Sequence, residues 1–423
     1  MRSSVALVFI LILTASSLIL VRPTLAQTST PVIGILQSDT TWTKANSPYS
    51  LTGPVAVING VTLTIEAGAT VNLNSYYIQV NGTLVARGSE TDNIHFNGGY
   101  IGFTSLSFGC CIIENTIIDT ELWGNNASPE VNNNSINRQI NFHGEGGAPI
   151  VSNNVVKNTN INAEGSAVIV YNNVTGGGIS SGSDHSQIAY NIISNARIGI
   201  SGDGQIFGNV IFNCEKGIRA RVGSTIERNL IYNNTYGIYT QYLVTNTIRY
   251  NTIANNTYGC YGHVASSITY NDIFNNTKNS FYLTLAELSV GVQAYDIDAA
   301  NNWWGTTDTQ AIAQTIHDNK NDFNLGTVTF APFLTAPNPQ APTLPNTNPS
   351  PTPTLSPTPT QTNTPTPSPT ITTSPSQPNT QSISPTEFYT VISVLVAAIV
   401  ALAATLAVFA RKLKKNNLAG TKQ

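Results

Sequence analysis

The stretch Ile188-Ala-Tyr-Asn191-Ile-Ile193 decides the fold, because the same pattern returns as Ile268-Thr-Tyr-Asn271-Asp-Ile273 and in seven further places. In each copy an asparagine has Ile or Val three residues before it and two residues after it. A period near 20 held over this length is typical of a repeat protein, in which each unit packs only on its neighbours. The nine asparagines recur at spacings of 18 to 22 residues: Asn115, Asn134, Asn153, Asn172, Asn191, Asn209, Asn229, Asn251 and Asn271.

The length of the period and the residue types favour strands over helices. Repeats built from paired helices need about 33 residues or more per unit, and leucine-rich repeats need a leucine scaffold that this chain lacks. Val and Ile pack well on pleated surfaces, and Asn tolerates tight left-handed bends. We therefore predict an all-β, right-handed parallel β-helix (a solenoid) of roughly ten or more coils, in which the repeat asparagines stack as a ladder of side-chain amides.

A second register supports this prediction. Glycine followed by an apolar residue recurs six to eight residues after the repeat asparagine, as in Gly199-Ile200, Gly217-Ile218 and Gly237-Ile238. We interpret the glycine as a second bend, and we expect the residue after it to point into the core.

Composition divides the chain into seven segments. The apolar run Val5–Leu20 and the small residues before Gln27 indicate a secretory signal, with an uncleaved membrane anchor as the alternative. The apolar stretch Phe388–Phe409 is long enough to cross a bilayer, and the basic residues after it favour a cytosolic C-terminus. The predicted segments are 1–26 (signal peptide), 27–96 (N-terminal cap and first coils), 97–300 (parallel β-helix repeats), 301–334 (C-terminal cap), 335–386 (Pro/Thr/Ser-rich stalk, expected to be disordered), 387–410 (transmembrane helix) and 411–423 (cytosolic basic tail).

The C-terminal cap is predicted to contain a short amphipathic helix. Ile312 and Ile316 lie one helical turn apart within Thr309–Asn319, and Asp308 is suited to cap the first turn. We expect Leu325–Phe330 to return as a last strand.

The predicted placement of the rod outside a single-pass membrane anchor makes its glycosylation sequons meaningful. We expect some of them to carry glycans, although an asparagine-rich chain also produces sequons by chance. The candidate acceptors are Asn81, Asn133, Asn173, Asn233, Asn255 and Asn275.

Charge and reactive residues exclude several classes of function. The net charge is −3 with 10% charged residues, which argues against binding of nucleic acid or anionic membranes by the rod. The five histidines are scattered and the single Met is the initiator, so we predict no metal site and no cofactor. Cys110, Cys111, Cys214 and Cys260 lie at different phases of the repeat, which favours buried thiols over disulfides.

Residues at equal distance from the repeat asparagine should form columns along the rod. The residues ten positions after the repeat asparagine are Ser201, Arg219, Tyr239 and Tyr261. Those twelve positions after it are Asp203, Arg221, Gln241 and His263. Alternation from the inward residues puts both columns on the outer face. Aromatic faces can stack on sugar rings, and planar polar groups can bond to hydroxyls or carboxylates. The predicted ligand-binding residues are therefore Arg219, Tyr239, Tyr261, Asp203, Arg221, Gln241 and His263.

Two alternatives accompany this prediction. Asp203 and Arg221 would form a plain ion pair between coils, beside tyrosines that are merely good strand residues. Arg197 and Glu215 are also interpreted as an inter-coil pair. In the catalytic alternative, Asp184 stacks on Asp203, and the two are candidates for the paired carboxylates of a hydrolase or lyase.

The motifs also carry a family resemblance. The Y-N-x-I and N-N-T-x-G-I units, together with Asn301-Asn-Trp-Trp-Gly305, resemble the right-handed parallel β-helix family of NosD-like periplasmic copper-binding proteins, pectate-lyase-like β-helices, and carbohydrate-binding and sugar-hydrolase repeats. The segment Gly60–Val71 resembles their N-terminal coils. With its Pro/Thr stalk and C-terminal anchor, the chain is similar to archaeal cell-surface proteins. The resemblance implies contact with surface glycans or, in the NosD branch, copper delivery.

We thus expect a protein anchored in the cell membrane, with its β-helix outside the cell. Its expected partner is an extracellular glycan or cell-envelope polymer, which it binds without catalysis or for which it serves as a structural module. The alternative is a polysaccharide lyase or glycoside hydrolase acting on extracellular polysaccharide.

Overall fold

Each coil of the rod is built from short strands separated by bends, and the strands pair in parallel with their equivalents in neighbouring coils. The computed structural model describes residues 29–107, 111–240, 246–262, 267–284 and 296–345. Twelve strands on one face correspond to about 12 coils, which confirms the prediction of an all-β parallel β-helix. The predicted signal peptide, most of the stalk, the transmembrane helix and the basic tail lie outside the described residues. Within the described ranges, no helix combines the length and apolar character needed to span a bilayer.

The first face follows the bend that closes each coil. Its strands are β2 (Thr40–Trp42), β4 (Thr62–Ile65), β6 (Thr83–Arg87), β8 (Ile112–Glu114), β10 (Glu130–Asn132), β13 (Ile150–Ser152), β16 (Val168–Val170), β19 (Gln187–Ala189), β22 (Gln205–Phe207), β25 (Thr225–Glu227), β28 (Thr247–Arg249) and β31 (Ser267–Thr269).

The second face follows the repeat asparagine. Its strands are β11 (Ser135–Ile136), β14 (Val155–Lys157), β17 (Asn173–Thr175), β20 (Ile192–Ser194), β23 (Val210–Phe212), β26 (Leu230–Tyr232), β29 (Thr252–Ala254) and β32 (Asp272–Phe274).

The third face follows the glycine bend. Its strands are β12 (Ile140–His143), β15 (Ile161–Ala163), β18 (Ile179–Ser181), β21 (Ile198–Gly202), β24 (Lys216–Ala220), β27 (Tyr236–Thr240), β30 (Tyr258–Gly262), β33 (Asn279–Leu283) and β35 (Ile316–His317). In the first coils, long strands pair with one another in sequence order, and the last of them pairs with β11 of the second face and β12 of the third. These strands are β1 (Thr30–Leu36), β3 (Tyr49–Val57), β5 (Thr70–Val80), β7 (Ile94–Phe103) and β9 (Thr116–Asn125).

A ladder of buried asparagine amides joins successive coils at the bend before the second face. In a typical rung, Asn229 Oδ1 accepts from the backbone N–H and the Nδ2 of Asn209, both at 2.9 Å, while Asn229 Nδ2 donates to the Ile206 carbonyl at 2.9 Å. Because these buried amide groups have partners, the ladder adds cohesion without leaving them unsatisfied. The rungs are Asn134, Asn154, Asn172, Asn191, Asn209, Asn229, Asn251, Asn271 and Asn302.

Two of the nine predicted rungs are wrong. Asn115 and Asn153 lie in the left-handed bend, with φ of 51° and 58°, one residue before the ladder. Thr116 and Asn154 take the ladder position in these coils. The sequence pattern was ambiguous because Asn also tolerates the left-handed region well and therefore suits the bend as much as the ladder. A one-residue slip reverses which strand residues face inward. The buried residues in these coils are consequently Ile113, Ile118, Val151 and Val156.

The glycines of the second register are required by close approach of the backbone rather than by a positive φ. A Cβ on Gly217 would lie 2.6 Å from the carbonyl oxygen of Gly237, and one on Gly237 would lie 2.6 Å from that of Gly259. The following residues, Ile218 and Ile238, are fully or almost fully buried, as predicted. The glycines therefore let the coils stack closely where the chain enters the third face.

The predicted helix near the end of the repeats is present but shorter. It covers Thr309–Gln314 (α1), and Asp308 accepts hydrogen bonds from two backbone N–H groups of its first turn. Ile316 does not extend the helix, because it pairs with Phe281 in the third face. The last strand is also short: β36 (Val328–Thr329) pairs with β34 (Ile297–Asp298). A 3-10 turn at Lys44–Asn46 is the other helical element among the described residues.

Residues Leu334–Pro342, here called the C-terminal strap, run back along the second face. The Leu334 N–H donates to the Asn302 carbonyl at 3.0 Å, and the Asn338 N–H donates to Asp272 Oδ1 at 2.8 Å. Thr252 Oγ1 donates to the Pro342 carbonyl. The first residues of the segment predicted as a stalk therefore lie against the rod.

The variant Asn229→Ala tests the amide ladder. It leaves buried N–H groups of Asn209 without their acceptor and the Ile206 carbonyl without a donor. Each such group costs about 1–3 kcal/mol, so we expect the free energy of unfolding to fall by roughly 3–5 kcal/mol, measured by chemical denaturation. The matched control is Asn233→Gly, at an exposed bend residue with φ of 56°. This change should cost less than about 1 kcal/mol, and equal losses in the two variants would contradict the role of the ladder.

The carboxyl of Asp272 should make stability depend on pH. Burial raises its pKa from 3.8 to about 6, against the lowering effect of the Asn338 N–H. Because the folded pKa is raised, the stabilisation is complete below pH 3.8 and is lost as the pH rises through about 6. We expect Asp272→Asn to remove this component. The difference in unfolding free energy between the two proteins should change by up to ~3 kcal/mol between pH 4 and pH 7.5. Parallel pH profiles of the two proteins would show that Asp272 makes no such pH-dependent contribution.

Candidate functional site on the third face

One outward column runs along the third face through six successive coils. The strand register aligns Ser201 with Arg219, Arg219 with Tyr239, and Tyr239 with Tyr261, the same residues that the repeat count placed in a column. It continues through Tyr282 to His317. The column therefore extends two coils beyond the residues found from sequence.

A neighbouring outward column was missed by the sequence reasoning. The register aligns Lys216 with Tyr236, Tyr236 with Tyr258, and Tyr258 with Asn279. Lys216, Tyr236 and Tyr258 each lie seven residues after a repeat asparagine, so the same count taken at seven would have found them. The two columns together make a half-buried block of tyrosines with cationic side chains at its border.

The tyrosine rings stack on one another, so neighbouring rings occupy the faces that a sugar ring would otherwise use. Tyr261 lies between Tyr239 and Tyr282, with centroid distances of 5.7 and 5.2 Å and interplanar angles of 10° and 4°. Beside the stack, Lys216 Nζ lies 4.0 Å from the centroid of the Tyr239 ring. The block thus presents ring edges and hydroxyls. Each aromatic pair stabilises the fold by about 0.5–1.5 kcal/mol in addition to the effect of burying its apolar surface.

The phenol of Tyr261 keeps its proton more firmly than an exposed tyrosine does. Burial is the main cause that raises its pKa, and the neighbouring tyrosines add to it. The hydroxyl is therefore a hydrogen-bond donor throughout the neutral range. Such groups suit the oxygen atoms of a polar ligand better than its apolar faces.

An open groove of about 390 Å³ continues the first column toward the N-terminal coils. Arg197 and Arg219 line it together with the backbone of Gly176–Gly178, the hydroxyls of Ser180 and Ser201, and further polar groups from Asn160 and Asn162. No Asp or Glu is among the described residues that line it. The groove is therefore a cationic, hydrogen-bonding cleft.

The groove requires glycines at its bend because the neighbouring backbone leaves no room for a Cβ atom. A Cβ on Gly177 would lie 1.8 Å from the Thr159 carbonyl oxygen, and one on Gly178 would lie 2.0 Å from the Ile198 carbonyl oxygen. Side chains are thus excluded from this bend, and the longer residues on either side define the walls.

The interpretation of Arg197 and Glu215 as an inter-coil pair is wrong. Among the ion pairs within the described residues, neither of the two takes part. Arg197 lines the 390 Å³ groove, whereas Glu215 lines a separate open groove with Asn213 and Asn233. Equal phase in the repeat brings side chains to one column, but the bend allows them to turn to different sides.

The two aspartates of the catalytic alternative lie near each other but have separate partners. Asp203 Oδ1 is 3.3 Å from Arg221 Nε, and Asp184 Oδ1 is 2.6 Å from His185 Nδ1. Burial raises the pKa of Asp203, Arg221 lowers it, and the charges of Asp184 and Glu145 raise it again. The ion pair of the plain alternative is therefore formed, at the bend that follows the third face.

Gln241 and His263, the remaining predicted ligand-binding residues, lie outside the described residues. The sequon asparagines within the described ranges are exposed, except that Asn81 is half-buried and accepts hydrogen bonds from Gln79 and Thr104. Three of them stack on one bend with φ near 55°: Asn233, Asn255 and Asn275.

The cysteine side chains that the structure describes lie in the core. Cys111, Cys214 and Cys260 are buried, and burial raises the pKa of Cys260 to about 12. Cys110 lies outside the described residues. Among the residues that the structure describes, no three His, Cys, Asp or Glu side chains are grouped as metal ligands.

Comparison with solved structures finds likenesses to crystal structures of an epimerase. The crystal structure of the periplasmic alginate epimerase AlgG is 13% identical, with 71% of this chain and 82% of that chain aligned and a TM-score of 0.41. A double mutant of AlgG aligns over the same shares at 13% identity, with a TM-score of 0.33. No protein-family model and no curated protein matches the sequence. The resemblances to NosD-like and archaeal surface proteins stay predictions.

Proposed function

We propose that the protein binds an anionic polysaccharide along its third face, without cleaving it, as an anchored module outside the cell. In this proposal residues 1–26 direct export, and residues 387–410 hold the chain in the membrane. Residues 301–334 close the C-terminal end of the core, where Trp304 packs on Phe281 with centroids 5.7 Å apart.

The observation that carries the proposal is the groove of Arg197 and Arg219. Two guanidinium groups line one open cleft, and no carboxylate among the described residues lines it with them. Guanidinium groups form bidentate bonds to carboxylate and phosphate, and serine and asparagine side chains suit hydroxyls. A uronate or a phosphorylated sugar presents both kinds of group.

The direction of the columns favours a polymer over a small ligand. Equivalent residues repeat about every 4.8 Å along the rod, so an extended chain lying on the third face would meet one polar group per coil. Lys216 and the tyrosine hydroxyls continue the polar surface beyond the groove. The net charge of −3 is no obstacle, because binding depends on local charge at distances below the screening length.

The double variant Arg197→Ala/Arg219→Ala should weaken binding of a polyuronate. Hydrogen bonds to charged groups contribute about 1.5–3 kcal/mol each, so we expect at least a tenfold rise in Kd, or about 1.4 kcal/mol. The measurement is titration of the purified protein with polygalacturonate at low ionic strength. Binding by the unchanged protein should also weaken on addition of salt.

The matched control is Arg87→Ala/Lys157→Ala. It removes the same two charges from exposed positions on the first and second faces, at the ends of β6 and β14. We expect this control to bind as the unchanged protein does. Equal affinity in all three proteins would contradict the proposed site.

A second candidate function rests on Asp203. A carboxyl with a raised pKa beside a second carboxylate is the arrangement that proton transfer to a glycosidic bond requires. We expect no cleavage, because Asp203 is held by Arg221 and Asp184 by His185. The measurement is release of reducing ends or unsaturated uronate from a panel of acidic and neutral polysaccharides. Turnover that disappears in Asp203→Asn and in Asp184→Asn would replace the binding proposal by the catalytic one.

A further inference from the structure

The outward column of the third face that contains Ser201 continues toward the N-terminal coils and reaches an exposed tryptophan. Trp123 lies five coils from Arg219 in this column, which is roughly 24 Å along the rod. One residue in each coil continues the column from Ser201: Ser180, Asn162, Asn141, Trp123 and Gly102.

The Trp123 side chain contributes little to the core. It is 41% exposed, and the residues on either side of it on β9 face inward, so its ring lies on the outer surface. Among the aromatic pairs of the described residues, none includes Trp123, so no neighbouring ring occupies the faces that a sugar ring would use. The remaining tryptophans are buried or half-buried: Trp42, Trp303 and Trp304.

A second exposed ring lies beside Trp123. Tyr100 is 40% exposed, and its position is supported by stacking on Tyr77 with centroids 5.0 Å apart. A Cβ on Gly102 would lie 3.5 Å from Tyr100 Cε2 and 3.7 Å from Trp123 Cε3, so both rings border the backbone of this glycine. We call Tyr100, Gly102 and Trp123 the aromatic shelf. A longer side chain at the glycine would occupy the space that both rings border.

Polar groups surround the aromatic shelf. Glu121 precedes Trp123 by two residues on β9, and its side chain is exposed on the same surface. In the next coil, Asn141 Oδ1 accepts hydrogen bonds from Gln139 Nε2 at 2.9 Å and from Asn162 Nδ2 at 2.7 Å. These three amides, here called the amide row, fix one another in orientation. Carboxylate and amide groups beside an aromatic ring suit the hydroxyls of a sugar.

The charges near the shelf favour a neutral sugar over a uronate. The charged residues nearest to Trp123 in sequence are Asp119 and Glu121, and both are acidic. The cation of the next coil, Arg138, precedes β12 and therefore lies outside the column. A uronate on Trp123 would bring its carboxylate close to Glu121, where like charges repel, whereas a sugar hydroxyl can donate to that carboxylate.

We propose that the aromatic shelf binds a neutral hexopyranose of an extended glycan, with its ring C–H groups on Trp123 and its hydroxyls bonded to Glu121 and Asn141. A pyranose with equatorial hydroxyls presents C–H groups on both faces, and an exposed indole ring offers a matching apolar surface. The amide row leads from the shelf toward the cationic groove. The proposal goes beyond the binding of an anionic polymer and does not depend on it, because the shelf shares no residue with the groove.

Calorimetric titration of the full-length protein with cellotriose, a neutral chain of β-linked glucose, tests the proposal. The test variant is Trp123→Ala, and the matched control Tyr171→Ala removes a ring that is 58% exposed at the bend before the second face. We expect the Kd for cellotriose to rise about tenfold or more in the test variant, because the stacking surface is lost. The control should bind as the unchanged protein does. Trp123→Phe keeps a flat ring and should bind more tightly than Trp123→Ala.

Quenching of tryptophan emission by acrylamide locates the bound sugar. Cellotriose should shield the emission of the unchanged protein, and this shielding should disappear in Trp123→Phe because the other tryptophans are buried or half-buried. Trigalacturonate, which has the same length and carries a carboxylate on each sugar, should shield the emission less at equal concentration.

Three results would overturn the proposal. The first is equal affinity for cellotriose in the unchanged protein, Trp123→Ala and Tyr171→Ala, or no binding by any of them. The second is shielding that persists in Trp123→Phe, and the third is equal shielding by trigalacturonate. The groove is tested with polygalacturonate and the arginine variants, so failure of one proposal is distinguishable from failure of the other.

Discussion

The buried amide ladder is the interaction on which the rest of the structure depends. A typical rung such as Asn229 accepts two hydrogen bonds from Asn209 in the preceding coil and donates to the Ile206 carbonyl of that coil. A buried amide that lost these partners would cost more than the bonds add, so the coils are held in one register. Alignment of the outer side chains follows from that register. The columns of the third face, the tyrosine stack and the cationic groove all exist because successive coils cannot slide.

The sequence contained the period, the two bends and the alignment of coils, because these depend on residue spacing alone. It could not distinguish a bend asparagine from a ladder asparagine, since both positions favour the same residue, and the coils of Asn115 and Asn153 were therefore misread by one position. The alignment of Arg219, Tyr239 and Tyr261 could be predicted from counting. The orientation of the rings could not, because it depends on stacking with Tyr282, which enters from a coil of different phase.

Two other features escaped for physical reasons of their own. Arg197 lines the groove at a bend where Gly176–Gly178 leave room for its side chain. Counting positions in the repeat does not reveal that room. The C-terminal strap has the composition of a disordered segment, because its few apolar residues bury too little surface to offset the conformational entropy lost on ordering. It nevertheless contacts the rod, because specific partners such as Asp272 and Tyr270 replace general apolar burial.

The four coils between Asn191 and Asn271 differ in length in one segment, the return from the glycine bend to the next ladder asparagine. Eight residues separate the ladder asparagine from the glycine of the second register in four successive coils: Asn191 to Gly199, Asn209 to Gly217, Asn229 to Gly237 and Asn251 to Gly259. The return from glycine to the next ladder asparagine takes 10, 12, 14 and 12 residues. The bend after the third face, which carries Asp203 and Arg221, is thus where the chain tolerates insertions. New surface can be added there during evolution or by engineering, beside the cationic groove, while the amide ladder stays unchanged.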